Sequence, residues 1–253
     1  MLRGQRIAVV VPAHNEQAHI ARVLRAMPGY VDHVVVVDDG SRDGTGEVAS
    51  GVEDPRVTII RHRSKRGVGA ALRAGYGRAF DDGAAVVAVM AGDGQMHPDD
   101  LEAVLSPVLS GQAGYAKGNR LAHPSVGTTM PTVRRWGNRV LSALTRVTTG
   151  LRVYDTQCGF TALGRGAHAQ VPWARVWHGY GYPNDLLGWL SLAGVQVRDV
   201  TVRPIYGDEV SGVGFRHALC VIPGLLMRVL WRRLRTAGLT RSTRATRSLE
   251  PEG

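Results

Sequence analysis

Short apolar runs alternate with helical patterns along the first hundred residues. Four such runs, each followed by polar or turn-forming residues, lie at 7–11, 33–37, 57–60 and 84–90. Apolar residues at helical spacing predict helices between these runs, over 15–26, 44–51 and 67–80. This order predicts an α/β fold with a doubly wound, mainly parallel sheet and flanking helices, which binds ligands at the carboxyl ends of its strands.

The pattern loosens after Asp99 but continues to the C-terminal region. Helices are predicted over 101–109, 134–149 and 182–193, and strands near 114–117 and over 195–202. Apolar residues then recur at helical spacing beside arginines, which predicts a basic amphipathic helix over 215–235. We therefore expect a catalytic domain over 1–214, this helix, and a disordered tail over 236–253.

The charge of the chain and the length of its apolar runs limit the partners and the compartment that we expect. The formal net charge is +10, and residues 215–253 contribute eight arginines and two glutamates. Such a basic segment suits an anionic partner, either nucleic acid or phospholipid. The apolar run that ends at Pro12 is too short for a signal peptide, and we expect no membrane-spanning segment. Two cysteines provide no disulfide framework, so we expect the reducing cytoplasm.

Two adjacent carboxylates follow the second apolar run. Asp38 and Asp39 enter a turn of Gly40 and Ser41. Because burying unpaired charge is costly, these carboxylates predict a ligand contact, such as hydrogen bonds from a ribose or a base N–H. A solvated turn in which Asp43 caps the next helix is the alternative, and it does not explain the pair.

The stretch Pro-Ala-His-Asn-Glu at 12–16, together with Asp-Asp-Gly-Ser at 38–41, resembles the family 2 glycosyltransferases. The resemblance covers roughly residues 5–212 and implies a GT-A fold that uses a nucleoside-diphosphate sugar, GDP- or UDP-linked. The nucleotide pocket that it implies is lined by Pro12, Ala13, Glu16, Asp38 and Asp39.

A glycine-rich segment opens the helix predicted after the third run. Backbone N–H groups at a helix start suit a phosphate, so Lys65 and Gly67 are predicted to contact the nucleotide sugar. Close packing of the helix on a strand is the alternative reason for these glycines.

Asp93 and Gln95 follow the fourth run, where the family carries an Asp-x-Asp metal motif. Ala91 replaces the first aspartate of that motif. The resemblance implies Mg²⁺ or Mn²⁺ held by Asp93 and Gln95, which also contact the donor. A turn capped by Asp93 is the alternative.

The acceptor side resembles the polyprenyl- and dolichyl-phosphate mannose synthase branch of the family. Arg120, and less directly Arg134 and Arg135, would meet the acceptor phosphate, and residues 155–160 would form the wall beside it. Arg203 is predicted to contact the donor diphosphate. Asp185 is predicted either to be a general base or to cap the helix that begins near it.

The expected activity is an inverting hexosyltransferase that moves a sugar to a polyprenyl phosphate, peripheral at the inner face of the membrane. A soluble hydroxyl compound or a protein is the alternative acceptor. A sugar-nucleotide pyrophosphorylase would carry a basic glycine-rich loop where residues 12–16 stand. Nucleic-acid binding leaves the strand-end carboxylates unexplained, so we expect no such partner. The helix over 215–235 could bind the membrane, the catalytic domain or a second copy in a homodimer.

Overall fold

In this computed structural model, the described residues are 1–206 and 221–247, with side chains as far as Thr236. The strands in these ranges are β1 (Ile7–Ala13), β2 (His33–Asp38), β3 (Val57–Arg61), β4 (Val86–Val89), β5 (Tyr115–Asn119), β6 (Thr161–Gly164) and β7 (Val197–Thr201). The helices are α1 (Ile20–Arg25), α2 (Thr45–Ser50), α3 (Val68–Asp81), α4 (Leu101–Leu109), α5 (Val126–Thr129), α6 (Thr132–Thr149), α7 (Arg165–Gln170), α8 (Tyr182–Leu192) and α9 (Ile222–Arg247).

The described strands form one sheet in the order β3-β2-β1-β4-β6-β5-β7. Strands β1 to β4 are mutually parallel, and β6 runs antiparallel to both β4 and β5. β7 is parallel to β5. This topology confirms the predicted α/β, mainly parallel sheet. Strand β6 was not predicted, because its four residues are too few for a periodic pattern to be recognised.

Buried apolar residues cover both faces of the sheet. Alternate residues of β1 divide between the two cores, with Val9 on one side and Val10 on the other. On the second side, α3 lies close to the sheet at Gly75, where an added Cβ would be 2.4 Å from a Val10 methyl carbon. A strand buried on both faces reads as a continuous apolar run, as the sequence shows.

The close approach at Gly75 gives a prediction for stability. Gly75→Ala is expected to lower the free energy of unfolding by about 1–3 kcal/mol, because its methyl group overlaps Val10. Gly77→Ala is the matched control on the same helix, since nothing lies within 4 Å of its added Cβ. Denaturant titration should show the control unchanged or slightly stabilised by its helix propensity. Equal midpoints for the two variants would contradict the close packing.

The first helix begins later than predicted. Asn15 does not cap it but adopts φ 59°, and α1 starts only at Ile20. The intervening backbone instead bonds to the start of α2: Glu16 N–H donates to Thr45 Oγ1 at 2.7 Å. Among the other elements, α5 and α7 were not predicted, and most boundaries differ from the prediction by one to three residues.

Helix α9 packs beside α6 and α8. Val229 lies against Gly188 of α8, where a Cβ would be 2.8 Å from the valine methyls. The helix runs to Arg247, past the predicted end at residue 235, while residues 215–220 of the predicted helix lie outside the described ranges. The three-segment division of the chain stays a prediction. Across the described residues, no helix combines the length and apolar character needed to span a bilayer.

Candidate active site

A cleft of about 1910 Å³ crosses the carboxyl ends of the strands. It is lined by most of the side chains predicted for the site: Pro12, Ala13, Glu16, Asp39, Lys65, Gly67, Asp93, Gln95 and Arg120. Of the two further arginines predicted for the acceptor phosphate, Arg134 lines the cleft and Arg135 does not. Asp38, Asp185 and Arg203 are also absent from the lining. The strand-end motifs thus meet in one place, as the parallel topology requires.

Hydrogen bonds lock the two loops that follow β1 and β2 together. Asn15 Oδ1 accepts from Arg42 N–H at 2.9 Å, and Gln17 Oε1 accepts from Gly44 N–H at 2.8 Å. The left-handed conformation of Asn15 directs its side chain across this gap. The floor of the cleft is therefore built before a ligand binds.

Asp39 connects this floor to the start of α3. Its buried carboxylate accepts from the His62 ring at 2.7 Å, from Arg66 N–H at 2.9 Å and from Gly67 N–H at 2.7 Å. Burial by itself raises the pKa of Asp39, but these hydrogen bonds outweigh it and lower the pKa below its ordinary value. Asp38 is also buried, and its Oδ1 accepts from Ser41 N–H at 2.9 Å.

The glycines at the start of α3 allow close approach of the loop before α8. A Cβ on Gly69 would lie 2.3 Å from the Trp177 carbonyl oxygen. Gly69 N–H donates to the His178 carbonyl at 2.7 Å. These glycines therefore serve packing, on a loop rather than on the predicted strand. Gly67, with φ 96°, and Lys65 still line the cleft, so their predicted contact with the donor stays a prediction.

Asp93 and Gln95 lie in the loop after β4 and line the cleft. Asp93 Oδ1 accepts from Gln95 N–H at 2.9 Å. Within the ranges that the structure describes, no three His, Cys, Asp or Glu side chains are grouped to hold a metal. Mg²⁺ commonly binds through one or two carboxylates, water and substrate phosphates. One carboxylate and one amide oxygen therefore fit a cation that the donor diphosphate would share.

A partly buried arginine lines the same cleft as Asp93. Arg120 pairs with fully buried Asp155 through two bonds, Nε to Oδ2 at 2.8 Å and Nη2 to Oδ1 at 3.0 Å. Burial lowers the pKa of Arg120, but Cys158 and Asp155 outweigh burial and raise it, so the guanidinium stays charged. Tyr206 lies between Arg120 and Arg134, whose Cζ atoms are 6.0 and 4.7 Å from its ring.

A buried lysine supports the same wall and was not predicted. Lys117 is fully buried in β5, and its Nζ donates to the Cys158 carbonyl at 2.6 Å. Burial lowers the pKa of Lys117. Nearby Asp199 is also affected by burial, which raises its pKa to about 6. The available signal was a lysine within the predicted strand near 114–117, because a buried charge needs a partner.

The structure changes the interpretation of Asp185. It lies in the first turn of α8, whose N-cap is Gly181, so the capping alternative is wrong. Its fully buried carboxylate accepts from Arg232 of α9 and from Trp177 N–H at 2.9 Å. The Arg232 guanidinium also stacks 4.1 Å from the Trp189 ring. A carboxylate with both oxygens used, outside the cleft lining, is poorly placed to be a general base.

Arg203 also differs from the prediction. Its guanidinium pairs with Asp99 at 3.3 Å and with Asp100 at 3.2 Å, and its N–H donates to Asp100. These partners fix it outside the cleft lining, so the structure provides no support for the predicted diphosphate contact.

The cleft changes character along its length. Near β1 and β4 its lining includes polar side chains such as those of Glu16, Asp93 and Gln95. On the side of α6 and α9 it includes seven apolar side chains: Val133, Val140, Leu141, Leu144, Ile222, Pro223 and Leu226. Arg120 lies on the wall of the same cleft. Such a site can accommodate a polar donor and an acceptor that carries an apolar chain.

Comparisons with known proteins agree with this geometry. The sequence model of Glycosyl transferase family 2 matches residues 8–171. Polyprenol monophosphomannose synthase of Mycolicibacterium smegmatis is 31% identical over 85% of this chain and 84% of its own length. UDP-N-acetylglucosamine–dolichyl-phosphate N-acetylglucosaminyltransferase of Methanococcus voltae is 30% identical over 64% of this chain and 70% of its own.

Solved structures share the fold. Glucosyl-3-phosphoglycerate synthase from Mycobacterium tuberculosis, in complex with UDP, superposes with a TM-score of 0.65 at 24% identity, covering 89% of this chain and 80% of that one. A second structure of the same synthase contains Mn²⁺, UDP and glucosyl-3-phosphoglycerate, with a TM-score of 0.64 at 21% identity over 90% and 80%.

Proposed function

The chain belongs to glycosyltransferase family 2, and from that membership we propose that it moves a sugar from a nucleoside-diphosphate sugar to a polyprenyl phosphate. That it is a glycosyltransferase of GT-A fold follows from the family and the structural neighbours. The observation that carries the finer proposal is the cleft itself, which has polar side chains near β1 and β4, apolar side chains from α6 and α9, and Arg120 in its wall. Two of the sequence relatives are a polyprenol monophosphomannose synthase and a dolichyl-phosphate N-acetylglucosaminyltransferase, which supports the polyprenyl phosphate acceptor.

On the donor side, the hydrogen-bonded loops after β1 and β2 and the start of α3 would bind the nucleotide. Lys65 lines the cleft beside this helix start and would contact the diphosphate, while Asp39 holds the backbone there in place. Asp93 and Gln95 would hold Mg²⁺ or Mn²⁺ jointly with the diphosphate, and the ion would stabilise charge on the leaving nucleotide. The Mn²⁺ in a structural neighbour supports this assignment.

On the acceptor side, a phosphate oxygen would attack the anomeric carbon in line with the departing diphosphate, with inversion. That oxygen is already anionic, so the step needs no strong general base. The burial of Asp185 under Arg232 is compatible with this chemistry. Arg120, fixed by Asp155, would orient the acceptor phosphate. Because a polyprenyl phosphate remains in the bilayer, we place the enzyme at the inner face of the membrane.

A soluble phosphorylated acceptor is the second candidate. It is supported by the shared fold with glucosyl-3-phosphoglycerate synthase. Membership in a glycosyltransferase family argues against the pyrophosphorylase and the nucleic-acid binder.

Incubation with radiolabelled UDP- and GDP-sugars, Mg²⁺ or Mn²⁺, and either polyprenyl phosphate or 3-phosphoglycerate separates the two acceptors. We expect label in the solvent-extracted lipid. Asp93→Asn is expected to lower transfer by about 100-fold or more. Asp81→Asn, at the exposed end of α3, is the matched control and should retain activity. Label that enters only the soluble product would overturn the polyprenyl proposal, and full activity of Asp93→Asn would remove its assigned role.

A further inference from the structure

Helix α6 is amphipathic in the reverse of the usual sense. Its buried side chains are hydroxyl-bearing, namely Ser142, Thr145, Thr148 and Thr149. Its outward face carries large apolar side chains that are between 50% and 86% exposed: Val133, Trp136, Val140, Leu144 and Val147. Globular helices normally bury the apolar face, so this one lacks a partner for it in the described structure.

The reversal is built into the hydrogen bonding of the inner face. Thr145 Oγ1 donates to buried Asn184 Oδ1 at 2.9 Å, and Ser142 Oγ accepts from Thr156 N–H at 3.0 Å. These bonds attach α6 to α8 and to the cleft wall. Rotating the helix to bury its apolar stripe would break them, so the exposure is a stable property of the fold.

Helix α9 extends the apolar surface. Met227, Trp231 and Leu234 are 69%, 57% and 61% exposed, on the side opposite Val229, which packs on α8. Arg233 of α9 donates to the Val147 carbonyl of α6 at 3.2 Å, which joins the two helices. Together the outward stripes of α6 and α9 form a patch, named here the docking surface: Val133, Trp136, Val140, Leu144, Val147, Met227, Trp231 and Leu234.

The charges around the docking surface identify its partner. Between residues 126 and 149, and again between 222 and 247, the sequence contains no aspartate or glutamate. Arginines lie on both helices, including exposed Arg139 and Arg235. An isologous contact with a second copy would bring arginines against arginines, which is unfavourable. Anionic headgroups above an apolar layer complement this surface, and tryptophan is common at that boundary.

We propose that the docking surface lies in the headgroup boundary of an anionic phospholipid bilayer, with its apolar side chains inserted and its arginines among the phosphates. Val133, Val140 and Leu144 belong both to this surface and to the cleft lining, so the cleft opens toward the lipid. The further role of this surface, as the route by which a prenyl chain enters the cleft, rests on the proposed function. The binding itself depends only on exposed side chains.

Vesicle co-sedimentation tests the proposal without donor or acceptor, so its failure and that of sugar transfer are separate results. The full chain is mixed with phosphatidylglycerol-containing vesicles or with phosphatidylcholine alone. We expect binding to the anionic vesicles that falls with salt. Val140→Glu and Leu144→Glu should each weaken it about tenfold or more, and Arg139→Glu about tenfold.

Arg25→Glu, exposed on α1, makes the same charge change as Arg139→Glu away from the surface and should bind like the wild type. A near-ultraviolet circular dichroism spectrum that matches the wild type shows that each variant is folded. Val147→Glu tests the apolar stripe of α6 at another position. The proposal would be overturned if the stripe variants bound the vesicles as well as the wild type does. It would also be overturned if the wild type bound neither kind of vesicle. A dimer in light scattering that Val140→Glu dissociates would assign the surface to a second copy instead.

Discussion

Asp155→Asn is expected to lower the free energy of unfolding by about 3–5 kcal/mol, because it removes the counter-charge of Arg120 in a buried site. The wild-type carboxylate accepts two bonds from that guanidinium and a third from Arg120 N–H at 3.1 Å. Asparagine can supply one acceptor oxygen and no charge. Denaturant titration at neutral pH measures the change. Glu47→Gln, which breaks an exposed pair with Arg61, is the control and should leave stability nearly unchanged.

The same substitution is expected to reduce sugar transfer by about 100-fold, because Arg120 loses its fixed orientation at the cleft wall. The double variant Arg120→Met with Asp155→Leu separates the two effects. Replacing a buried ion pair by apolar residues of similar size can restore stability. We expect it to do so here while transfer to polyprenyl phosphate stays low. A stable double variant with full transfer would show that the pair is only structural.

The sequence predicted the sheet and the motifs at its edge because both are local. A buried parallel strand and the turn after it are adjacent in the chain, so the apolar runs suffice to place Asp39 and Asp93 at strand ends. A single sequence does not show which residues far along the chain will contact such side chains. His62 lies 23 residues from Asp39, and Arg232 lies 47 from Asp185. Asp185 was therefore predicted as a base or cap, whereas it joins two helices.

Helix α6 shows a second limit of sequence reasoning. Its apolar and hydroxyl-bearing residues alternate at helical spacing, which predicts a helix correctly. Periodicity alone does not tell which face is buried, and the usual rule places the apolar face inside. In this chain the hydroxyls are bonded to Asn184 and to the Thr156 backbone. Which face of the helix is buried therefore depends on partners 14 and 39 residues away.

Asp39→Asn is expected to raise the KM for the nucleotide sugar by about tenfold or more, with a smaller fall in kcat. The carboxylate holds the backbone of Arg66 and Gly67 beside the cleft, and hydrogen bonds to a charged group contribute about 1.5–3 kcal/mol each. Asp39 is thus a positioning residue for the donor side. A change confined to stability, with KM unaltered, would contradict that role.

The neighbouring aspartate provides a control for the Asp39 test. Asp38→Asn changes a buried neighbour that does not line the cleft, so the KM of this variant should stay close to the wild-type value.

Because the folded-state pKa of Asp39 lies below the ordinary value, the contribution of Asp39 to stability is present above about pH 4. That contribution disappears as pH falls through the lowered pKa. The stability difference between wild type and Asp39→Asn should therefore shrink in acid below about pH 4. A difference that instead grows in acid would show that the carboxylate destabilises the fold, and the lowered pKa would be wrong.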